Sequence, residues 1–371
     1  MRIGIDARPL SSERSGIGRY LYNLLKVLEK IDHENDYFLY SNKNFELPFE
    51  NPKWHKRLGL RSFSKVGMLY ILLNSPWQIH EDKIDLFWGT ENILPFGLTC
   101  KKVLTVHDFV WYFYPKTMTL YNFLVNKLFA KRSILMADHL IAISESTSND
   151  LVKLFNVPNS KVSVIHNGID PIFFVNNSSN VASNLPRYFA ISRKYILAVG
   201  TLEPRKNIEF LAKSFKEYLI RTNADCELVI VGGSGWSNSS LLKTIKKLGL
   251  TEKEIRFLGY VSDDDLQKLY LGAEAFVFPS IYEGFGFPPL EAMASGCPVI
   301  ASNSSSIPEV CGDAALYIDP YNIESLVDAF QKLLQDKKLK DSLVIKGKER
   351  VKSFVWKKAA IETLEVLVKN G

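Results

Sequence analysis

Short apolar runs alternate with segments of helical periodicity along this chain. The runs typical of buried strands lie at 2–6, 37–41, 84–88, 103–107, 139–143 and 162–166 in the first half, and at 195–199, 227–231, 255–258, 275–278, 298–301 and 315–318 in the second. The helical segments lie between them, at 17–30, 117–136, 145–154, 207–222, 238–248, 263–272, 289–295, 323–335, 337–353 and 357–369. Alternation of this kind is typical of parallel sheets covered by helices. The pattern therefore predicts an α/β protein with two doubly wound sheets, one in each half.

A polar stretch separates the two halves. Residues 175–184 are rich in Asn and Ser, as expected of an exposed linker, and a new strand is predicted soon after them. We therefore expect the boundary near 175–190, between a first domain at 1–180 and a second at 190–354. The last helix, at about 355–371, is a candidate to pack back on the first domain. Two such domains facing each other across a cleft would bind their ligand in it.

Composition narrows the class of protein. The chain has 371 residues, of which 46% are hydrophobic and 23% charged, as in soluble globular proteins of two domains. A net charge of +6 with a pI near 8.9 is less basic than a dedicated nucleic-acid binder usually is. We therefore predict no nucleic-acid partner, while anionic small molecules or an anionic membrane surface remain compatible with this charge.

Cysteine usage and apolar runs bear on the compartment. The cysteines are Cys100, Cys226, Cys297 and Cys311, without a CxxC pair or a His/Cys cluster at zinc spacing. We expect a reducing, cytoplasmic compartment. The strand at 2–6 begins directly after Met1, so no signal peptide is expected. The longest apolar run, 68–73, is far shorter than the roughly 20 residues that span a bilayer.

The most informative motif is Glu283-Gly-Phe-Gly-Phe-Pro-Pro-Leu-Glu291, which follows the predicted strand at 275–278. Glu283 is expected in a loop at the carboxyl end of that strand, and Glu291 about one turn into a helix that proline opens. Ligands of open α/β sheets bind at this edge, and a helix N-terminus there suits a phosphate. The motif predicts a site for a phosphorylated ligand.

Two adjacent cations follow the strand at 195–199. Arg205 and Lys206 lie in the segment that begins at Gly200, just before the helix that Asn207 opens. Together they can bind a diphosphate, Arg through its planar fork and Lys as a point charge. Their position directly after a strand favours this interpretation over a solvated surface loop.

Candidates in the first half leave alternatives open. Gly16 and Gly18 precede the first helix and would let the backbone approach a phosphate, although the G-x-G-x-x-G fingerprint of dinucleotide binding is missing and a plain loop fits equally. His107 and Asp108 follow an apolar strand. They are either a titratable pair in a cleft or an Asp cap beside a structural His.

Three further segments are ambiguous. The backbone around Tyr260 and Val261 follows a predicted strand and would suit a planar ligand, although Ser262 next to it is a helix cap. Segments 63–79 and 109–135 mix aromatic and basic residues. That mixture suits a membrane interface, and an aromatic stretch at helical spacing equally suits a buried core.

The motifs together resemble the retaining glycosyltransferases of family 4, which have the GT-B fold of two Rossmann-like domains. The resemblance spans nearly the whole chain in motif order: GIGRY at 16–20, HD at 107–108, SES at 144–146, NGID at 167–170, GTLEPRKN at 200–207, EGFGFPPLE at 283–291 and PEV at 308–310. The spacing between PRKN and the paired glutamates makes the resemblance to this family specific.

The resemblance implies a role for each matching residue. Arg205 and Lys206 would bind the donor diphosphate, Glu283 the donor sugar, and Glu291 the ribose. The donor would also meet the backbone or side chains of Gly16, Gly18, Gly200, Tyr260, Val261, Phe285, Gly286 and Phe287. His107 would contact the donor sugar near the reacting face, and Asp108 and Ser144 would lie on the acceptor side.

The resemblance also implies a reaction. A hexose would pass with retained anomeric configuration from a nucleotide-diphosphate sugar to a hydroxyl, by front-face attack and without a cofactor or a metal. GDP-mannose is the favoured donor, with rhamnose, glucose or GlcNAc from GDP-, dTDP- or UDP-sugars as alternatives. The acceptor would be a lipid-linked oligosaccharide of surface-polysaccharide biosynthesis, at the inner face of the cytoplasmic membrane. A nucleotide-sugar epimerase and a non-catalytic binding partner are the competing hypotheses.

Overall fold

The computed structural model describes residues 1–11, 16–59, 67–174, 189–233 and 238–371. The chain forms two compact units, Met1–Gly168 together with Phe354–Gly371, and Ile169–Ser353. The division therefore falls earlier in the chain than the linker expected at 175–184, and that linker lies outside the described residues. The C-terminal helix belongs to the first unit, which makes this unit discontinuous in sequence.

The first unit has a parallel sheet with strand order β3-β2-β1-β4-β5-β6-β7 among the described residues. Its strands are β1 Arg2–Asp6, β2 Asp36–Ser41, β3 Trp54–Leu58, β4 Leu86–Gly89, β5 Lys101–Val106, β6 His139–Ala142 and β7 Val162–Val164. The central strands are buried on both faces, as expected of a parallel sheet covered by helices. Because all pairings are parallel, the carboxyl ends of the strands meet at one edge.

Helices cover this sheet. They are α1 Gly16–Ile31, α2 Gly67–Leu69, α3 Ser75–Glu81, α4 Val110–Phe113, α5 Leu120–Met136, α6 Glu145–Phe155 and, from the C-terminus, α14 Trp356–Asn370. A single π-helical turn, Tyr70–Asn74, joins α2 to α3. Helix α6 begins at a side-chain cap, since the Ser144 hydroxyl accepts from the Thr147 amide at 3.0 Å.

The second unit repeats the architecture with strand order β10-β9-β8-β11-β12-β13 in the described part of the chain. Its strands are β8 Lys194–Val199, β9 Cys226–Val231, β10 Ile255–Gly259, β11 Ala275–Phe278, β12 Val299–Ser302 and β13 Ala315–Ile318. Its helices are α7 Ile208–Thr222, α8 Asn238–Lys247, α9 Asp263–Gly272, α10 Phe287–Ala294, α11 Ile307–Cys311, α12 Ile323–Gln335 and α13 Lys337–Arg350. The prediction of two parallel sheets covered by helices is confirmed.

Two regions of the first unit differ from the prediction. Strand β3 was not expected, because its residues Trp-His-Lys-Arg-Leu form no apolar run. It lies at the edge of the sheet and only Trp54 of its residues is buried, so polar side chains are tolerated there. Residues 67–81 are helical rather than an unassigned apolar segment. Among the described residues, no helix is both long and apolar enough to cross a membrane.

Candidate active site

In the second unit, two cations and one carboxylate meet at the carboxyl edge of the sheet. Arg205 and Lys206 lie in a 3₁₀ turn after β8, and Glu283 lies in the loop after the neighbouring strand β11. The Arg205 Nη1 donates to Glu283 Oε2 at 2.8 Å, and the Lys206 Nζ donates to Glu283 Oε1 at 2.5 Å. Residues 77 and 78 positions apart thus form one ion-paired cluster.

Burial makes this cluster electrostatically strong. Desolvation by itself would raise the pKa of Glu283, but Arg205 and Lys206 outweigh it and hold the pKa at about 2. Desolvation lowers the pKa of Lys206, as does the neighbouring Arg205, while Glu283 opposes both effects. The Lys206 Nζ also lies 5.1 Å from the centre of the Phe278 ring, within the range of a cation–π contact.

A second carboxylate joins the cluster and was missed by the sequence analysis. The Arg205 Nε donates to Glu203 Oε2 at 3.0 Å. Two cations are therefore paired with two carboxylates, and the guanidinium is oriented from both sides. The one signal in the sequence was the position of Glu203 in the GTLEPRKN segment, where its charge was not interpreted.

Serine hydroxyls fix the loop that bears Glu283. The Glu283 amide donates to Ser305 Oγ at 2.9 Å, and the Ser305 hydroxyl donates back to the Glu283 carbonyl. The Ser306 hydroxyl contacts the carbonyl oxygens of Glu283 and Phe285 at 2.9 and 2.6 Å. These serines belong to the polar loop before α11, whose hydroxyls could, from the sequence alone, either bind a ligand or satisfy the loop backbone. In the structure they support the Glu283 loop.

Helix α10 begins where this loop ends. Its N-cap is Gly286, whose φ of +124° is one that side-chain-bearing residues rarely adopt, and prolines occupy the first turn. The helix starts at Phe287, slightly earlier than predicted, so Phe285, Gly286 and Phe287 form its entrance. Pro288 and Pro289 carry no N–H, so the backbone donors at this end are those of Gly286 and Phe287, which lie next to the loop of Glu283 with the positive end of the helix dipole.

Glu291, the second carboxylate of the motif, is buried on α10. The hydroxyl of Tyr270, from α9, donates to Glu291 Oε2 at 3.2 Å. The two glutamates of the motif thus have different partners, one cationic and one phenolic. Such an arrangement differs from a pair of carboxylates that act on one bond as acid and base.

Glycines allow close approach of neighbouring strand ends. A Cβ on Gly232 would lie 2.1 Å from the Gly200 carbonyl oxygen, and the φ of Gly232 is +149°. A Cβ on Gly200, where φ is +155°, would lie 3.4 Å from the Lys206 side chain. The Gly232 amide donates to the Gly259 carbonyl at 2.8 Å. Three neighbouring strands therefore end in glycine beside the cationic turn.

Tyr260 and Val261 follow β10 at the same edge. The Tyr260 side chain is 55% exposed, whereas Val261 is buried. Together with Phe189, Arg256 and others they line a cavity of about 480 Å³. The Ser262 hydroxyl accepts from the Asp265 amide at 3.2 Å and caps α9, so the structural interpretation of this serine is confirmed.

In the first unit, His107 lies at the carboxyl end of β5 and is buried. Its Nε2 lies 2.8 Å from the Thr90 carbonyl oxygen, and its ring packs edge-on against Tyr20 from α1 at 4.9 Å. Desolvation lowers the pKa of His107. Since a carbonyl only accepts, Nε2 bears the hydrogen in this contact, and the neutral imidazole then has its lone pair on Nδ1.

The remaining candidates of this unit lie on segments that contact His107 or follow it in sequence. The Asp108 carboxylate accepts from the Val110 amide at 3.1 Å and so contacts the first turn of α4. Ser144 is linked to His107 through Thr147, whose hydroxyl lies 3.1 Å from Ser144 Oγ and 3.3 Å from the His107 carbonyl. Gly16 and Gly18 form the first turn of α1, the helix that contributes Tyr20.

Neither a disulfide nor a metal-binding cluster occurs in the described part of the chain. All four cysteines are free thiols. Within the described ranges, no group of three His, Cys, Asp or Glu residues could bind a metal ion.

Two sequence families match the chain. Residues 189–350 match the glycosyl transferases group 1, and residues 14–173 match glycosyltransferase family 4. The O-antigen chain mannosyltransferase B of Escherichia coli is 30% identical over 98% of both chains. The O-antigen chain mannosyltransferase RfbU of Salmonella typhimurium is 33% identical over 66% of both.

Solved structures show the same fold. Anabaena HepE, determined in complex with UDP-glucose, superposes with a TM-score of 0.74 at 17% identity and covers 99% of this chain and 100% of its own. The fold is therefore GT-B. With an O-antigen mannosyltransferase matching it over nearly its whole length, the chain belongs to the glycosyltransferases of family 4.

Proposed function

We propose that this glycosyltransferase transfers mannose from GDP-mannose to a hydroxyl of a lipid-linked acceptor, with retained configuration, in surface-polysaccharide biosynthesis. The observation that supports it best is the cluster of Arg205, Lys206 and Glu283 at the carboxyl edge of the second sheet. The reaction would take place at the inner face of the cytoplasmic membrane, where lipid-linked intermediates and nucleotide sugars meet.

The cations stabilise the leaving group. As the bond between the anomeric carbon and the phosphate oxygen breaks, the electron pair stays on the nucleoside diphosphate. Arg205 and Lys206 are oriented by Glu203 and Glu283 before the donor arrives, so little reorganisation accompanies the reaction. The N-terminus of α10 adds backbone donors. We propose that these fixed charges replace a divalent cation and that the enzyme works without metal.

Glu283 and Glu291 have separate roles in this proposal. Glu283 remains ionised at neutral pH because its pKa is about 2, and an ionised carboxylate accepts hydrogen bonds from sugar hydroxyls. Glu291, buried beside Tyr270, accepts from the ribose hydroxyls. The loop from Phe285 to Phe287 lies between them and presents backbone groups to the phosphate and the sugar.

The first unit supplies the acceptor side. The acceptor oxygen attacks the anomeric carbon on the face from which the diphosphate departs, and its proton passes to the leaving phosphate, so that no carboxylate nucleophile is needed. His107, neutral and fixed by Thr90 and Tyr20, orients the donor sugar near that face. Asp108 and Ser144 position the acceptor. Gly16 and Gly18 let the backbone approach the donor closely.

The identity of the proposed donor is inferred from the relatives. Two of them are named O-antigen mannosyltransferases, which favours mannose, while HepE was determined with UDP-glucose, so a UDP-sugar is the alternative. The cavity beside Tyr260 and Val261 is where we place recognition of the base. Its lining includes the exposed aromatic ring of Tyr260, against which a planar base could stack.

A thermal-shift comparison tests the donor. GDP-mannose, UDP-glucose, UDP-GlcNAc and dTDP-rhamnose are added separately, at concentrations up to about 100 times the expected Kd, where a bound ligand adds roughly 2.7 kcal/mol to the free energy of unfolding. We expect GDP-mannose to raise Tm most. A shift with UDP-sugars and none with GDP-mannose would show that the proposed donor is wrong, and it would leave the proposal of glycosyl transfer standing.

Two variants test the site. Glu283→Gln and His107→Ala should each lower kcat/KM for mannosyl transfer by on the order of 100-fold or more. Glu349→Gln, an exposed glutamate of the same unit as Glu283, serves as the control and should leave kcat/KM unchanged. If both active-site variants stay within a few-fold of wild type, the site assignment is wrong. Activity that survives exhaustive chelation with EDTA would support metal independence.

A further inference from the structure

The tyrosine that packs against His107 is fixed on the strand that leads to His107. The Tyr20 hydroxyl and Thr105 Oγ1 are 3.2 Å apart, and both groups are buried. Thr105 Oγ1 also accepts from the Trp88 Nε1 of β4 at 2.9 Å. Thr105 and His107 are two positions apart at the carboxyl end of β5, and side chains at that spacing point to the same face of a sheet. The Tyr20 side chain therefore spans this face from Thr105 to His107.

The last helix of the chain reaches the same tyrosine. Trp356 is the first residue of α14 and is buried. Its ring centre lies 6.4 Å from that of Tyr20, and the two planes are tilted by 59°. This separation is within the range of aromatic pairs. Tyr20 contacts Trp356 and His107 at once, so it connects α14 to the histidine of the proposed active site.

The NGID motif fixes the position at which α14 begins. A Cβ on Gly168 would lie 2.3 Å from the Trp356 amide nitrogen and 2.6 Å from its Cγ, so a side chain there would displace the tryptophan. Two residues earlier, the His166 ring packs edge-on against Phe354 at 5.7 Å. The glycine of this motif therefore has a steric role, which is to let the first residue of α14 approach the end of the first unit's main segment.

We propose that Trp356 positions His107 by packing against Tyr20, so that α14 supports the active site as well as the core of the first unit. This inference rests on the proposed role of His107 at the donor sugar. The hydrogen bond from His107 Nε2 to Thr90 leaves rotation of the ring about that bond open. The Tyr20 ring, at 87° to the imidazole plane, restricts this rotation. A displacement of about 1 Å in an active site can cost roughly 100-fold in rate.

Kinetics of leucine variants on a water-soluble acceptor analogue test the proposal. Tyr20→Leu should lower kcat by roughly 10- to 100-fold and Trp356→Leu by roughly 10-fold, because the imidazole is no longer held in one orientation. Trp356→Phe keeps an aromatic ring and should recover most of the activity that Trp356→Leu loses. The Kd of GDP should stay that of wild type in all three, because the contacts proposed for the diphosphate lie in the second unit.

A double variant tests whether the tryptophan acts through the tyrosine. Tyr20→Leu/Trp356→Leu should be no slower than Tyr20→Leu alone, because Trp356 has no route to His107 once the Tyr20 ring is gone. Losses that multiply would show two independent effects and would overturn the proposal.

The protonation of His107 provides a readout that a loss of stability alone would not move. Desolvation lowers the pKa of His107, while the Thr90 carbonyl and the Asp108 carboxylate raise it. Burial also raises the pKa of the Tyr20 phenol, so this neighbour stays uncharged. Loosening the contact admits water, and Tyr20→Leu and Trp356→Leu should therefore raise the pKa of His107 towards its ordinary value.

An NMR titration of protein labelled with ¹⁵N-histidine measures this pKa. His107→Ala assigns the resonance among the six histidines of the chain. A pKa of His107 that is the same in wild type and in both leucine variants would mean that neither side chain controls the surroundings of the imidazole, and the proposal would be wrong.

Trp54→Leu is the matched control. Trp54 is a tryptophan of the first unit with the same 7% exposure as Trp356, and its ring packs against Tyr37 and Phe49. Its replacement should lower Tm, as that of Trp356 does, but leave kcat and the pKa of His107 unchanged. Equal losses of kcat in Trp54→Leu and Trp356→Leu, measured well below both Tm values, would show that Trp356 acts through stability alone and would overturn the proposal.

The outcome is separable from the proposed function. If His107→Ala transfers mannose like wild type while the pKa of His107 responds to Trp356→Leu as expected, the proposed role of His107 is wrong and Trp356 still fixes its ring. If His107→Ala is impaired but Trp356→Leu changes neither kcat nor the pKa of His107, the role of His107 stands and the inference about α14 is wrong.

Discussion

At the scale of single residues, the charge of Lys206 is maintained mainly by one carboxylate, that of Glu283. Burial and the adjacent Arg205 both lower the pKa of Lys206, and Glu283 opposes them. Arg205 and Lys206 in turn lower the pKa of Glu283, so its carboxylate stays ionised at pH values well below the ordinary pKa of a glutamate. A buried ion pair of this kind is costly to break, because removing one partner leaves the other charge buried without compensation. The pair therefore links stability to the chemistry proposed for the site.

Neutralising Glu283 should change the dependence of stability on pH. Its pKa falls from about 4.5 unfolded to about 2 folded, so its stabilisation is complete above the unfolded value and is lost as pH falls towards 2. Glu283→Gln should therefore be less stable than wild type by about 3 kcal/mol at pH 7, with a difference that shrinks between pH 5 and 2. Urea unfolding across this range measures it. A difference that stays constant with pH would contradict the assignment.

Replacing Lys206 separates catalysis from stability. Lys206→Met removes a charge that the proposal places on the leaving diphosphate, so kcat/KM should fall by on the order of 100- to 1,000-fold. Lys213→Met, in an exposed pair with Glu209, is the control and should change neither activity nor stability appreciably. In a Glu283→Gln background, Lys206→Met should destabilise less than it does alone, because no carboxylate is left unpaired. Additive losses would show that the two side chains do not interact.

At the scale of secondary structure, glycines at strand ends shape the edge that bears the site. The carboxyl ends of β8, β9 and β10 are adjacent in the sheet and are followed or closed by Gly200, Gly232 and Gly259. Each has a positive φ, and Gly200 and Gly232 approach each other too closely for a side chain on Gly232. The conformation of the turn that bears Arg205 and Lys206 therefore depends on Gly232, which follows the neighbouring strand β9.

A single methyl group tests this dependence. Gly232→Ala places a Cβ 2.1 Å from the Gly200 carbonyl oxygen and requires an unfavourable φ, so it should destabilise the protein by roughly 2–5 kcal/mol and weaken donor binding. Gly233→Ala is the matched control, since a Cβ there meets nothing within 4 Å. Thermal unfolding with and without GDP-mannose measures both effects. Equal behaviour of the two variants would contradict the steric argument.

The same scale shows what the sequence could and could not predict. Apolar runs were sufficient for the buried strands, because both faces of a parallel strand are covered. They failed at the edge strand β3, where Trp54 is the one buried residue. The positions of Arg205, Lys206 and Glu283 after strands predicted a ligand contact for each of them, and the resemblance to family 4 implied that they share one donor site. Glu203 and Ser305 were not, because their contacts come from loops that pair only in three dimensions.

At the scale of the whole molecule, the first unit is assembled from both ends of the chain. Helix α14 packs against α1, and its buried residues Trp356, Ala359, Ala360, Thr363, Val366 and Leu367 form one apolar face. Gly168 is required at this junction, since a Cβ there would lie 2.3 Å from the Trp356 amide nitrogen. The first unit is therefore incomplete without residues 354–371.

This discontinuity predicts unequal folding of the two units. Residues 169–353 should fold alone, because their core is contiguous in sequence. Residues 1–168 alone should not, because burying a large apolar side chain contributes about 1.5–3 kcal/mol and a domain has only about 5–15 kcal/mol in total. Circular dichroism and urea titration of the separate fragments measure this.

Adding the missing helix should restore the first fragment. A peptide of residues 354–371 should confer cooperative unfolding on residues 1–168, because it supplies the apolar face that covers α1. The same peptide with Ala360→Asp and Leu367→Asp is the control, since both positions are fully buried and a carboxylate there is costly. Cooperative unfolding of residues 1–168 without any peptide would mean that α14 is an accessory to this unit. Rescue by the intact peptide alone would show that the C-terminal helix completes its core.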